Sequence, residues 1–256
     1  MAQMADAPVL GGDFRVGDVL SRAWTVLTAN LLFFIGISAL IYVIMIVAVV
    51  AVVFLAVAAG QFGPGRFGPL LIVLGGVAFL VIIVVTFIGQ AAMLFGAFQY
   101  LRGMPVRVGQ SLSRAMSRFG ALIGLAVLMG LALMFGFVLL VVPFLILLCM
   151  WAVAVPACVV EGLGPTASMS RSADLTSGHR WKIFGIVALL WLINLVGTQI
   201  VELPLRLVSP ALASIAGFVV SALLTAYFHC VTIMIYHDLR VAKEGVDTKE
   251  IASVFD

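Results

Sequence analysis

The chain has 256 residues, 64% of them hydrophobic and 10% charged, with a net charge of +3 and a mean hydropathy of +1.28. A soluble domain carries about a quarter charged residues, so this composition excludes one and points to a polytopic helical membrane protein. So small a net charge carries no signature of a nucleic-acid partner; what matters is where the charges sit.

Residues 1–12 are small and expected to be disordered. Asp13 is placed to cap a helix beginning at Phe14. Val16, Val19, Leu20, Ala23 and Leu27 then recur with helical spacing, and Asp18, Ser21, Arg22, Thr25 and Thr28 fall opposite them. Such a helix can lie along a membrane surface, with Trp24 at headgroup depth, or pack its apolar face on a bundle. Its core, V-G-x-x-L-S-R-A from Val16 to Ala23, recurs from Val108 to Ala115, and a looser third copy runs from Pro165 to Ser172. Each copy precedes apolar sequence long enough to cross a bilayer twice.

Those apolar segments are 31–59, 69–100, 121–142, 144–160, 183–201 and 209–236. Between the first two, Gly63 to Gly68 matches G-x-G-x-x-G. A dinucleotide site would need a strand before the match and a helix opening at its end, so this segment reads as a flexible turn. The second segment carries Thr86, Gln90 and Gln99, and Gln90 is expected to face protein because a bare amide in lipid is costly. The second copy of the repeat sets Val108, Leu112, Ala115, Met116 and Phe119 on one face, and Ser111, Arg114, Ser117 and Arg118 on the other. Gly120 and Gly124 suit a close helix approach. From Gly120 to Val160 there is no charge, and as one helix this stretch would run about 60 Å, twice a hydrocarbon core. It must reverse, and Val142-Pro143-Phe144 is the expected place, with a kink at Pro156.

In the polar stretch 162–182, Pro165 suits a helix start and Gly178 its end. The fifth segment carries Asn194 and Gln199 and is expected to emerge at Glu202-Leu203-Pro204-Leu205-Arg206; the sixth contains His229. Ile251, Val254 and Phe255 are placed to dock the charged tail. Of the 14 lysines and arginines, all but Arg66 and Arg206 lie at one set of helix ends, which the positive-inside rule makes cytoplasmic. The mixed-charge segment ahead of the first apolar run is unlike a secretory signal. Cys149, Cys158 and Cys230 fall within spans at no metal-ligand spacing and read as packing residues.

Arg22, Arg114 and Arg171 occupy equivalent repeat positions. With Arg180 and Lys182 they form a candidate set for gripping the phosphate of a lipid headgroup or a soluble anion. The alternative is that these cations only enforce topology by snorkelling. Gln90, Asn194, Gln199 and His229 are the intramembrane polar candidates, and His229 can mark a pathway or hydrogen-bond Asn194 or Gln199 as glue. Asp174, His179, Arg180, His237 and Asp238 are the one place where acids and imidazoles could converge, and a salt-bridge network anchoring the 162–182 loop competes with an acid–base site there. No H-E-x-x-H or G-x-S-x-G occurs, and no catalytic residue, metal or cofactor is assigned.

Three stretches together resemble a bacterial family. They are Arg171-Ser172-x-x-Leu175-Thr176-x-Gly178-x-Arg180-Trp181, then Tyr236-x-Asp238-Leu239-Arg240-x-x-Lys243-Glu244-Gly245, and the upstream Pro143, Trp151, Pro156 and Glu161. The family is the membrane domain of glycerophosphoryl diester phosphodiesterase, with related integral membrane proteins. The resemblance implies a helical membrane fold over nearly the whole chain. It does not bring the phosphodiesterase activity, because the catalytic barrel takes about 250 residues and no non-membrane segment here approaches that. Where the family often has Pro-Gly between spans three and four, this chain has Pro143-Phe144.

The expectation is an all-α membrane protein: six transmembrane helices as three hairpins, each preceded by a cytoplasmic interfacial amphipathic helix. One membrane domain, 1–256, contains units 14–102, 106–162 and 165–240 and a tail, 241–256. Both termini would be cytoplasmic in a bacterial inner membrane. The function expected is non-catalytic, as a scaffold or regulator contacting membrane lipids and a membrane or peripheral partner protein. One rival is a transporter or channel for a lipid or small anion, which needs a polar-lined path. The other, a membrane-embedded hydrolase, needs a cleft uniting Asp174, His179 and His237.

Overall fold

Long runs of Leu, Ile, Val, Ala and Phe become helices where water is absent, because a helix satisfies its backbone hydrogen bonds within the segment. The computed structural model describes residues 15–60, 68–139 and 141–244, and every regular element among them is helical. In chain order these are α1 (Val16–Ala29), α2 (Leu31–Ala58), α3 (Pro69–Leu101), α4 (Val108–Ser117), α5 (Phe119–Leu139), α6 (Val141–Met150) and the single turn α7 (Ala154–Pro156). A π-helical turn (Ala157–Glu161), α8 (Pro165–Thr176), α9 (Arg180–Val208) and α10 (Pro210–Glu244) follow. Six described stretches are long and apolar enough to cross a membrane: α2, α3, α5, Val141–Glu161, α9 and α10. The chain has the make-up of a multi-pass membrane protein.

Several boundaries differ from expectation. The first helix opens at Val16; Asp13 and Phe14, the match from Gly63 to Phe67, and Ile251, Val254 and Phe255 lie outside the described residues. Where a reversal is expected at Val142-Pro143-Phe144, Pro143 instead lies inside α6, which opens at Val141. Pro143 sits in the first turn of α6, where its missing N–H leaves no hydrogen bond unmade. A Cβ on Gly136 would stand 2.9 Å from Leu147 Cδ1 and 3.3 Å from Phe144 Cα, so the missing side chain lets α5 and α6 close. The break expected at Pro156 falls earlier, over Trp151–Val153, upstream of the ring that would block the ladder. Polar groups freed there are met from α8: the Ser172 hydroxyl donates to the Met150 carbonyl at 2.8 Å and accepts from the Val153 N–H at 3.3 Å. Helix α9 does not end near Glu202 but runs through Pro204 to Val208, with an Arg206–Glu202 ion pair spanning the proline.

Packing follows a rule the repeat does not announce. Consecutive long helices pair, α2 with α3, α5 with α6 and α9 with α10. Each short helix, however, rests mainly on a unit other than its own: α4 on α3, α8 on α5 and the stretch after α6, and α1 on the last helix, α10. The three helix pairs, each taken with the short helix before it, therefore interlock in a ring. All three short helices press down through small residues four apart, Val19 and Ala23, Ser111 and Ala115, Ser168 and Ser172, each with 0% exposure. Where α8 lands, Gly124 makes room, since a Cβ there would stand 2.8 Å from the Pro165 ring; the other member of that glycine pair, Gly120, faces open space.

The copies do not present the same face. In α1 the apolar stripe Val19, Ala23, Val26 and Leu27 is buried. In α4 the buried edge is Ser111 and Ala115, while Val108, Leu112, Met116 and Phe119 stay exposed. The reason is Gln99, itself 3% exposed on α3. Its Nε2 donates to Gln110 Oε1 at 3.1 Å, and its Oε1 accepts from the Ser111 hydroxyl at 3.2 Å. That buried amide selects the hydroxyl edge of α4 over the aliphatic one. Gln99→Leu strips Ser111 of its acceptor and is expected to lower stability by about 2 kcal/mol, read as a fall in the thermal midpoint of the detergent-solubilised protein.

The continuous core lies at one end of the bundle. It draws on Phe33–Ile41 of α2, Ala91–Phe98 of α3, Leu122 and Leu125 of α5, Ile183–Leu190 of α9 and Ala226–Leu239 of α10. The opposite halves of α2, α3 and α9 expose large apolar side chains such as Phe54, Ile72, Phe79 and Leu207. The packed end is also the end where the basic residues gather.

Candidate functional site

The packed end carries a belt of ion pairs and hydrogen bonds in which all three repeat arginines have protein acceptors. Arg22 on α1 pairs with Asp238 on α10, whose other oxygen lies 3.4 Å from His237 Nδ1. Arg22 Nε also donates to the Asp18 carbonyl at 3.3 Å. Tyr227 supports the same seat, donating from its hydroxyl to the Leu20 carbonyl at 2.9 Å and meeting Trp24 edge-on at 5.9 Å. Arg114 on α4 donates through Nε to the Val159 carbonyl at 3.3 Å and lies 6.0 Å from the Phe95 ring.

Arg171 on α8 is the hub. Its Nε donates to both Glu161 oxygens, at 3.1 and 3.0 Å, and its Nη2 donates to Glu244 at the end of α10. Glu161 also accepts from the Tyr236 hydroxyl at 2.6 Å, and Glu244 accepts from Arg240 Nε at 2.8 Å. Burial works against the charge on Arg171, but the hydrogen bonds to Glu244 and Glu161 outweigh it and hold the guanidinium above its ordinary pKa. The π-turn is what delivers Glu161: it widens the helix by one residue and ends at Gly162 with φ of 73°. Only glycine fits there, because the conformation is left-handed and a Cβ would stand 2.3 Å from Arg118 Nη2. Arg118 in turn donates to the Gly162 carbonyl at 2.7 Å.

The 162–182 segment is anchored through these glutamates and through Lys243, which donates to the Asp174 carbonyl and the Ser177 hydroxyl. The Asp174 carboxylate is not the anchor. His237 Nδ1 lies 3.4 Å from Asp238, which pairs with Arg22, while Lys243 meets Asp174 through its backbone carbonyl. At the turn between α8 and α9, Ser177, Gly178, Arg180 and Trp181 line an open cleft of about 340 Å³. The Arg180 Nε is buried and has no hydrogen-bond partner among the described residues. Lys182 beside it is exposed.

The intramembrane polar residues are spread over three helices. Gln90 on α3 and Asn194 on α9 are half-buried, Gln199 on α9 is exposed and His229 on α10 is buried. Among the described residues none of these four side chains hydrogen-bonds to another, and the buried His229 Nδ1 has no partner. Cys149, Cys158 and Cys230 are free and buried. Among the described residues no three His, Cys, Asp or Glu cluster closely enough to hold a metal ion.

Sequence reasoning picked out the arginines and Asp238, but not the groups that hold Arg171. Glu161 carried a usable signal, as the first charge after a long uncharged stretch; Glu244 and Tyr236 carried one only within the resembling segment near the C-terminus. The structure thus defines an all-helical, multi-pass type of chain whose short helices are pinned at one end by buried charge. A family model described as "Domain of unknown function (DUF7847)" matches residues 89–239, more than half of the chain, and the chain belongs to that family. No curated protein and no solved structure matches it.

Proposed function

We propose that this protein is a non-catalytic scaffold of the bacterial inner membrane, built as three transmembrane hairpins, each preceded by an amphipathic helix at the cytoplasmic surface. Both termini face the cytoplasm in this reading, and the basic, belted end offers a rigid platform to membrane lipids and to a membrane or peripheral partner protein. The observation that supports it most is the use of the repeat: its three arginines are spent on Asp238, the Val159 carbonyl, Glu161 and Glu244, which locks the units together. A transporter for a lipid or small anion would draw support from a hydrogen-bonded group of Gln90, Asn194, Gln199 and His229, and among the described residues none of the four bonds to another. A hydrolase would need Asp174, His179 and His237 in one cleft, whereas the cleft at the α8–α9 turn is lined by Ser177, Gly178, Arg180 and Trp181. Kinship with the membrane domain of glycerophosphoryl diester phosphodiesterases, without the enzymatic activity, belongs to the same proposal and rests on the segment from Arg171 to Trp181.

Orientation is tested by single cysteines in a background lacking the native three. A membrane-impermeant maleimide applied to intact spheroplasts is expected to label Ser209→Cys at once and Ser177→Cys only after permeabilisation. The reverse pattern would invert the topology. Cysteines at positions 90, 194 and 229 are expected to stay unlabelled, and modification of several of them by water-borne reagent would favour the transport path instead.

A further inference from the structure

We infer that the cleft at the α8–α9 turn is a binding site for a phosphate group, supplied by an anionic phospholipid of the adjoining leaflet. The cleft is about 340 Å³, enough for a headgroup phosphate, and Arg180 lines it. Arg180 differs from the three repeat arginines, whose guanidinium groups meet carboxylates or a carbonyl: its Nε is buried without an acceptor among the described residues. A cleft-lining guanidinium with no carboxylate or carbonyl bonded to it among the described residues is available to an anion, and a phosphate oxygen matches the guanidinium fork.

The surroundings favour an anion. Ser177 brings a hydroxyl that Lys243 already touches, so a second cation borders the cleft. Arg180 opens α9, whose first turn carries no acidic residue, and the leading N–H groups of a helix add to the attraction.

A lipid source is favoured by Trp181. It lines the same cleft, is 85% exposed and meets Phe184 edge-on at 6.1 Å, just where α9 enters its apolar run. An indole beside a guanidinium at that level suits a molecule with a charged head and apolar tails. The site thus gives a ligand chemistry to the scaffold reading and rests on that reading for the lipid.

The test uses the full-length protein in phosphatidylcholine nanodiscs doped with phosphatidylglycerol bearing brominated acyl chains, with tryptophan quenching as the readout. The difference between wild type and Trp181→Phe isolates the Trp181 signal. Brominated phosphatidylglycerol is expected to quench Trp181 at a lower mole fraction than brominated phosphatidylcholine. Arg180→Ala is expected to raise the half-quenching fraction about tenfold, the scale of one lost charge-assisted hydrogen bond. Arg180→Lys, which keeps the charge and the packing, should fall between, and Arg206→Ala at the opposite end should change nothing. Inorganic phosphate is titrated against the wild type in undoped nanodiscs: a Trp181 response there without any phosphatidylglycerol preference would assign the site to a soluble phosphate. Absence of both responses, or an Arg180→Ala curve that overlays the wild type, overturns the proposal. Trp191, 69% exposed within the α9 span, serves as the control: if brominated phosphatidylcholine fails to quench it, the membrane reading itself has failed, and the lipid source with it.

Discussion

Arg171→Ala is expected to lower the stability of the detergent-solubilised protein by about 3 kcal/mol, because it leaves a largely buried carboxylate without its cation. Glu161 retains only 17% side-chain exposure and would keep a single partner, the hydroxyl of Tyr236, a residue that is itself 1% exposed. Glu244 would keep Arg240. The measurement is thermal or denaturant unfolding followed by circular dichroism. A double change, Arg171→Met with Glu161→Gln, should cost less than the sum of the two single changes, since it removes the stranded charge along with its partner. Additive losses would show that the pair contributes nothing beyond its separate packing.

A comparable loss is expected from Gly96→Val. A Cβ on Gly96 would stand 2.4 and 2.5 Å from two ring carbons of Phe33 and 3.2 Å from Val106 Cγ1. The Phe33 ring has no room to withdraw, because it meets the fully buried Phe34 edge-on at 5.1 Å. Overpacking of this kind costs about 3 kcal/mol. Gly17→Ala is the matched control: nothing lies within 4 Å of its Cβ position, and it sits in a helix. There the loss of backbone freedom in the unfolded chain predicts a small gain. A neutral Gly96→Val would mean that α2 and α3 do not approach as closely as described.

The sequence-level reading succeeded where the determinant was local and failed where it was distant. Apolar runs without breakers marked α2 and α3 to within a residue, because a span is decided by the residues inside it. The prolines misled. Pro143 and Pro156 were expected at their breaks, yet Pro143 lies in the first turn of α6 and the chain breaks upstream of Pro156, which leaves each ring where no hydrogen bond is lost. Pro204 is tolerated four residues from the end of α9. The buried face of α4 was illegible because Gln99, eleven residues before Gln110, sets it against the apolar pattern. The pairings of the repeat arginines were illegible for the same reason at longer range: Arg22 and Asp238 are 216 positions apart. The cleft at Arg180 was legible only as a basic residue in a polar loop, since an orphaned N–H is a property of the folded surroundings.

The ring of units also has a consequence in time. Helix α1 leaves the ribosome before any span, but the surface that receives it, with Tyr227 and Asp238, belongs to α10 and is made last. Until then the stripe of Val19, Ala23, Val26 and Leu27 lacks the helix on which it mainly rests, so a chain halted before α10 leaves it partly uncovered. Closure of the packed end therefore waits on α10, the element that seats α1.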